Sequence, residues 1–283
     1  MNYQWYPGHM TKAKRQMQED LKLIDLIIEI VDARIPISSR NPDIDELGRN
    51  KARLVLLNKS DLADANANKQ WISYFAEKGI ACLEVNSKSG MGLKKIQEKV
   101  LEACKEKIER EKKRGIINRP VRAMVVGIPN VGKSTFINAY AGKACAKTGN
   151  KPGVTKGKQW IKLNKSLELL DTPGILWPKF EDQTTGMKLA FIGSMNDEIL
   201  IPEELACDFI KFINIVYPEA VKTAYQFETD YEKEYQYLEA LAIKRGCLKK
   251  SGEADITKAS KIIMDDFRDG KLGKLTLEWP VNV

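Results

Sequence analysis

A chain of 283 residues is long enough to bury one large core or two modest ones, and two domains are expected. With 43% apolar and 30% charged residues and no apolar run of spanning length, the composition excludes a membrane-embedded protein; the first ten residues lack the basic and apolar segments of a secretory signal, so a cytoplasmic address is expected. The net charge of +8 comes from one stretch, Lys112 to Lys165, which holds thirteen cations and no acid and is either a solvated lysine surface or one that faces a polyanion.

In chain order, Thr11 to Leu23 has helical spacing and leads into Leu26 to Val31, an apolar run broken only by Glu29. Asp43 to Arg49, behind Asn41-Pro42, is a second helix, and Arg53 to Leu57 a second apolar run. Short runs of this kind bounded by polar residues read as buried parallel strands. A helix from Ala65 to Lys78 stops at Gly79, a strand follows over Ile80 to Val85, and a long charged helix spans Leu93 to Arg114 before the strand Val121 to Val126. Trp160 to Leu163 and Leu167 to Leu170, joined by Asn164-Lys165-Ser166, make a hairpin of two further strands. The alternation predicts an α/β domain built on a doubly wound, mostly parallel sheet.

Past Pro178 strand-like runs cease. Leu205, Phe209, Phe212, Ile213 and Val216 share one helical face before Pro218, and Ile256, Ala259, Ile263 and Phe267 repeat the spacing before Gly270. Such stripes are core, and they predict a smaller all-α domain over residues 179–283 behind an α/β domain of residues 1–178 that includes an N-terminal arm. Leu275 to Trp279 alternates like an edge strand.

Gly127-Ile128-Pro129-Asn130-Val131-Gly132-Lys133-Ser134 fits G-x-x-x-x-G-K-[ST], follows an apolar strand and opens a helical segment, the context that marks a phosphate loop. The glycines let backbone N–H groups close around phosphates, Lys133 reaches the β- and γ-oxygens, and Ser134 ligates Mg²⁺ at a helix N-terminus whose dipole favours anions. The phosphate-binding set is Asn130, Val131, Gly132, Lys133, Ser134 and Thr135.

Asn58-Lys59-Ser60-Asp61 sits at the C-terminal end of the second strand, where open α/β sheets bind ligands. The Asp61 carboxylate can accept from the N1–H and exocyclic amine of guanine, whereas adenine presents an acceptor at N1. A carboxylate buried without its donors is costly enough to discriminate by about 10⁴, so the nucleotide is GTP or GDP. Asn86-Ser87-Lys88, after the next strand, resembles the loop whose backbone N–H meets guanine O6, a look it shares with ordinary strand-end turns. Asp171-Thr172-Pro173-Gly174 fits D-x-x-G, in which Asp171 holds Mg²⁺ through water and the Gly174 amide meets the γ-phosphate. Thr155, in Lys151-Pro152-Gly153-Val154-Thr155, is the switch threonine expected to complete the magnesium shell, with Thr148 as its competitor.

The usual order of these motifs is phosphate loop, switch threonine, D-x-x-G, N-K-x-D, O6 loop. Here the last two come first, a circular permutation whose old termini are bridged by the charged helix and the linker Gly115 to Arg119. The segment after Gly174 then feeds the helical domain, so the γ-phosphate is expected to reorient that domain, which equal interdomain spin-label distances with GDP and a GTP analogue would refute. Where Ras-type proteins carry a water-positioning Gln the chain has Ile175, so unassisted turnover should be slow. His9, the sole histidine, in Trp5-Tyr6-Pro7-Gly8-His9-Met10, either orients the water or is a solvated side chain of an arm packed by Trp5 and Tyr6. Asn130 either shapes its loop or helps ligate a K⁺ ion beside the phosphates. The catalytic set is therefore His9, Lys133, Thr155 and Gly174. Five cysteines without a C-x-x-C pair argue against a zinc or disulfide framework.

Trp5-Tyr6-Pro7-Gly8-His9-Met10, Val31-Asp32-Ala33-Arg34-Ile35-Pro36, the phosphate loop and Asp171-Thr172-Pro173-Gly174-Ile175-Leu176-Trp177-Pro178, in this permuted order, closely resemble the bacterial ribosome biogenesis GTPase A family, the YlqF-type proteins. The likeness is strong through Pro178 and weaker beyond. It implies a cytoplasmic assembly factor that binds a precursor of the large (50S) ribosomal subunit, with a helical C-terminal domain contacting rRNA. It also implies a GTPase activated by that particle, with His9 as the catalytic group and a hydrophobic residue at Ile175. A monomer without a membrane partner that leaves the particle after hydrolysis is expected. The residues alone also admit a GTPase acting on another RNA such as tRNA, or a nucleotide-gated binding module in which hydrolysis is incidental.

Overall fold

The computed structural model describes residues 17–116, 119–142, 159–163, 165–171 and 182–282. The chain divides into a sheet unit and a helical unit; the helical unit ends at Leu277, and the segment from Glu278 onward belongs to the sheet unit.

Among the described residues six strands, β1 (Leu26–Asp32), β2 (Ala52–Asn58), β3 (Ala81–Glu84), β4 (Val121–Val126), β5 (Gln159–Lys162) and β6 (Leu167–Asp171), lie in the order β3-β2-β1-β4-β6-β5. Every pairing is parallel except the β5–β6 hairpin. Central β1 is buried at all its positions, which is why it reads as a continuous apolar run rather than an alternating one. On one face Ile27, Met124, Val126 and Leu170 form a cluster with Met17, Leu21 and Ile44, while Val31, Val55 and Leu57 form another with Trp71 and Phe75. Glu29 projects from β1 between them, almost fully buried, and ion-pairs with Arg40 at 3.1 Å and Arg53 at 2.9 Å. Ile28, Ile30, Leu54 and Leu56, one residue out of phase, bury the opposite face.

The connecting helices follow from chain direction. α1 (Asp43–Leu47) and α2 (Ala65–Glu77) join strands laid successively leftward, β1 to β2 to β3; α3 (Ile96–Ala103) and α4 (Lys105–Lys113) return rightward to β4. Right-handed crossovers therefore place the two pairs on opposite faces. α2 begins where the Asp64 carboxylate accepts from the amides of Asn66 and Ala67, a cap that contributes about 1 kcal/mol. It buries Trp71 and Phe75 completely, the latter stabilising by about 2 kcal/mol. The charged helix expected over Leu93 to Arg114 opens as a 3₁₀ turn, Leu93–Lys95, and is interrupted at Cys104 alone. Its ladder continues there through Cys104 N–H to Val100 O at 3.0 Å and Ile108 N–H to Cys104 O at 2.9 Å. α5 (Lys133–Ala141) follows β4.

The helical unit comprises α6 (Gln183–Phe191), α7 (Pro202–Val216), α8 (Ala220–Tyr225), α9 (Glu234–Lys244) and α10 (Ile256–Arg268). α7 packs against all four others, and the expected stripes supply its core: Leu205, Phe209 and Ile213 meet Ile263 and Phe267, with the Phe209 and Phe267 rings 4.7 Å apart. Val216, at the end of the stripe, is exposed. Arg268 closes α6 by donating to the carbonyls of Phe191 at 3.0 Å and Ala190 at 2.9 Å while pairing with Asp197 at 2.7 Å.

The expected edge strand over Leu275 to Trp279 is absent. Its alternation reflects two different burial sites: Leu275 and Leu277 are buried in the helical unit, and Trp279 packs on the Trp71 cluster of the sheet unit. Side chains, not a neighbouring strand, satisfy the backbone. The Tyr217 hydroxyl both donates to Thr276 O at 3.1 Å and accepts from Thr276 N–H at 3.0 Å, and the Trp71 indole donates to Glu278 O at 2.9 Å.

Candidate functional site

The order in which strands are added reverses between the parallel neighbours β1 and β4, so their C-terminal ends flank a topological switch point, the place where open α/β sheets bind ligands. The phosphate-loop sequence leaves β4 at that point. A side chain on Gly127 would lie 2.8 Å from the Ile30 carbonyl oxygen, so only glycine lets the loop pass this close to β1. Asn130 and Gly132 take left-handed conformations, φ 64° and 93°, which turn the backbone into α5 at Lys133. Lys133 is buried, Ser134 is half-buried in the first turn of α5, and Thr135 is exposed.

The N-K-x-D tetrapeptide ends β2 and is fastened to this loop. Asn58, buried at 2% exposure, donates to the Val131 carbonyl at 2.7 Å and accepts from Ser87 N–H at 3.0 Å and Ser87 Oγ at 2.8 Å. One side chain thus joins the three loops that follow β2, β3 and β4. Lys59, held at φ 56°, donates to the Asn130 carbonyl at 2.8 Å. The Asn86 side chain accepts from Lys88 N–H at 2.9 Å and Ser89 N–H at 3.0 Å, which folds the loop over Lys88. Asp61 stands exposed beside them and its carboxylate accepts no hydrogen bond from the described residues. It is therefore open to two donors from a purine edge.

Beneath Lys59 lies Asp32, the last residue of β1, fully buried. Its carboxylate accepts from Arg34 Nε at 2.9 Å and Nη2 at 2.8 Å and pairs with Lys59 Nζ at 3.0 Å. Burial by itself would raise the Asp32 pKa, but the charges of Arg34 and Lys59 outweigh it and hold the group well below the usual carboxylate range. Lys59 is thereby gripped from two sides, by Asp32 and by the phosphate loop.

Asp171 ends β6 opposite Val125 of β4, next to the strand that feeds the phosphate loop. His9, Thr155, its competitor Thr148, Gly174 and Ile175 lie outside the described residues. Among those described, the structure brings together Asn58, Lys59, Asp61, Asn86, Ser87, Lys88, Asn130, Val131, Gly132 and Lys133, contributed by three loops at one margin of the sheet.

A family profile described as 50S ribosome-binding GTPase matches residues 122–232, from β4 into the helical unit. Over 280 residues, 99% of this chain and 95% of the relative, the sequence is 50% identical to ribosome biogenesis GTPase A of Bacillus cereus. The chain belongs to the ribosome biogenesis GTPase A family. It is a GTP hydrolase. The fold agrees with solved structures of YlqF: GDP-bound TM YlqF, 28% identical, aligns with TM-score 0.68 over 94% of this chain and all of that one. GNP-bound YlqF from T. maritima, 29% identical, aligns with TM-score 0.67 over 95% and 98%.

In this chain Asp32 and Arg34 are residues of the candidate site to which sequence reasoning gave no role. They stood in the motif that carried the resemblance, and their position at the C-terminal end of a buried strand was the available signal. The contact of Asp32 with Lys59 was not readable, because the two lie 27 positions apart and no periodicity connects them.

Proposed function

We propose that the chain is an assembly factor for the large (50S) ribosomal subunit that engages a pre-ribosomal particle in its GTP-bound form and leaves after hydrolysis. The observation that carries this reading is the fastening of Asn58 and Lys59 to the carbonyls of Val131 and Asn130. It supports one composite site in which Asp61 reads the guanine edge, the Asn86-Ser87-Lys88 loop meets O6, and the backbone from Asn130 to Thr135 with Lys133 holds the phosphates. Because the base motifs follow β2 and β3 and the phosphate loop follows β4, the order is a circular permutation.

Ser134 and Asp171 are hard oxygen donors on elements adjoining β4, a donor set that fits Mg²⁺, with Thr155 completing it. Bound there, the ion would supply positive charge to the phosphoryl oxygens. Asn130 is assigned to K⁺, Gly174 to the γ-phosphate and His9 to the attacking water, a role Ile175 cannot fill. The sheet unit, with the segment from Glu278 onward, is the GTPase domain, and the helical unit, ending at Leu277, is the RNA-contacting one of a cytoplasmic monomer. The ribosomal role carried in the relatives' names supports the particle as partner, and the basic stretch Lys112 to Lys165 supports its rRNA.

Sedimentation with large-subunit precursors at rising salt, and GTP turnover with and without them, test the proposal. Salt-sensitive co-sedimentation and a stimulation of about tenfold or more are expected, the stimulation being lost in His9→Ala while GTP still binds. If neither co-sedimentation nor stimulation occurs, the reading is abandoned; stimulation by tRNA instead would transfer it to another RNA.

A further inference from the structure

The C-terminal segment enters the sheet unit through an acid that has no part in the nucleotide motifs. Glu278 is buried at 5% exposure, and its carboxylate accepts from the backbone N–H of Ile37 at 2.9 Å, from Ser38 N–H at 3.1 Å and from the Ser38 hydroxyl. Its own carbonyl accepts from the Trp71 indole, Trp279 packs on the Trp71–Phe75 cluster, and Pro280–Asn282 lies against α2. A carboxylate taking three donors is a stronger anchor than any neutral acceptor would be.

What Glu278 holds is the turn between β1 and α1, and that turn leads back to Lys59. Ser39 closes the turn by donating, through both its amide and its hydroxyl, to the Ile35 carbonyl at 2.9 and 2.6 Å. The same hydroxyl accepts from Asp32 N–H at 3.0 Å. The Asp32 carboxylate then grips Lys59, and the Ala33 amide donates to the Asn58 carbonyl at 2.8 Å. From Glu278 to the base tetrapeptide the path runs through Ser38, one backbone step to Ser39, and then the polar contacts of Ser39 with Asp32 and of Asp32 with Lys59.

We propose that Glu278 is a positioning residue for the guanine nucleotide: by clamping the Ile37–Ser38 turn it fixes Asp32, and through Asp32 it fixes Lys59 against the phosphate loop. This rests on the reading of Asn58-Lys59-Ser60-Asp61 as the base motif. The acid that anchors the chain's last segment thereby sets how long the nucleotide stays. Since Leu277 is the last residue of the helical unit, the clamp lies one peptide bond from it.

The test is a double-mutant cycle on the full-length protein, read as the dissociation rate of a fluorescent N-methylanthraniloyl GDP. Glu278→Ala removes the acceptor, and Lys59→Ala removes the group on which it acts. Each single variant should release the nucleotide about tenfold faster, the equivalent of one hydrogen bond to a charged group, and the double variant no faster than Lys59→Ala alone. A tail that merely stabilised the fold would act independently of Lys59, and the two effects would multiply. Multiplying effects overturn the proposal, as does an unchanged rate in Glu278→Ala beside an accelerated one in Lys59→Ala. An unchanged rate in Lys59→Ala removes the base-motif reading itself and the proposal with it. If Glu278→Ala does not fold, Ser38→Ala takes its place in the cycle under the same criteria, because it deletes one donor and leaves the two backbone bonds standing.

Discussion

The fastening of Asn58 to the phosphate loop can be attacked from both ends. Asn58→Ala deletes three hydrogen bonds, of 2.7, 2.8 and 3.0 Å, and leaves the Val131 carbonyl and the Ser87 amide and hydroxyl without their buried partner. At a net of about 1 kcal/mol for each bond the loss is about 3 kcal/mol. Without nucleotide the three loops relax toward water; binding requires them back in place, so the loss falls on affinity and weakens GDP by about 100-fold. Gly132→Ala strikes the same contact from the other side. Its Cβ would run into the Asn58 amide nitrogen, and its φ of 93° adds about 1 kcal/mol of backbone strain. In the double variant the collision is gone and only the strain is left, so the combined loss should fall short of the sum by about 1 kcal/mol or more. Equilibrium titration with fluorescent GDP across all four proteins measures this. Losses that add to within about 0.5 kcal/mol would mean that Asn58 and Gly132 do not meet, and the composite site would lose its foundation.

Two further outcomes are expected. Asp61→Asn replaces half of an acceptor face with a donor, so GDP should weaken by about 100-fold while xanthosine diphosphate, which offers a carbonyl in place of the amine, gains; competition binding that preserves the guanine preference would exclude Asp61 from base contact. Burial pushes the Cys82 thiol from 9.0 up to about 12. Its contribution to stability is complete below pH 9 and is lost as the pH climbs from 9 to 12, at about 1.4 kcal/mol per pH unit. Denaturant midpoints followed from pH 8 to 11 should therefore fall less steeply in Cys82→Ala than in the wild type, and parallel curves would contradict the assignment.

Much of the sheet unit was legible because its signals are local. The apolar runs at β1, β2 and β4 are short, buried on both faces and bounded by polar residues, and the motifs sit where those runs stop. The helical stripes were legible for the same reason: Leu205, Phe209 and Ile213 fall on one face at a helical period and are buried together. The tail was misread because its alternation belongs to two cores at once, a coincidence that period alone cannot separate. The contacts of Glu278 with Ser38, 240 residues apart, and of Asp32 with Lys59 are polar and long-range, and no local pattern announces them. Glu29, an acid inside an apolar strand, was visible in the sequence, but its partners Arg40 and Arg53 come from two different elements.

The placement of Asp32 bears on why the site is built as it is. A buried ion pair seldom adds net stability: removing the charges from water costs several kcal/mol per ion, and well-packed apolar residues of the same volume usually hold a fold as firmly or better. Asp32 and Arg34 are both essentially inaccessible, at the end of a strand whose other residues, Glu29 apart, are apolar. Core packing therefore gives no reason for a carboxylate at this position. The position of the third partner does. Lys59 is about one-quarter exposed and reaches the phosphate-loop carbonyl of Asn130 with the ammonium group that Asp32 also holds. A lysine at a loop tip would otherwise sample many rotamers, at a cost of up to about 2 kcal/mol when nucleotide binding froze it. Asp32 makes that ordering part of the folded protein, and Arg34 keeps Asp32 ionised and aimed while it does so. The charged group is thus explained by preorganisation of the nucleotide site. Replacing Asp32 and Arg34 with apolar residues should accordingly leave the fold intact while loosening the grip on guanine.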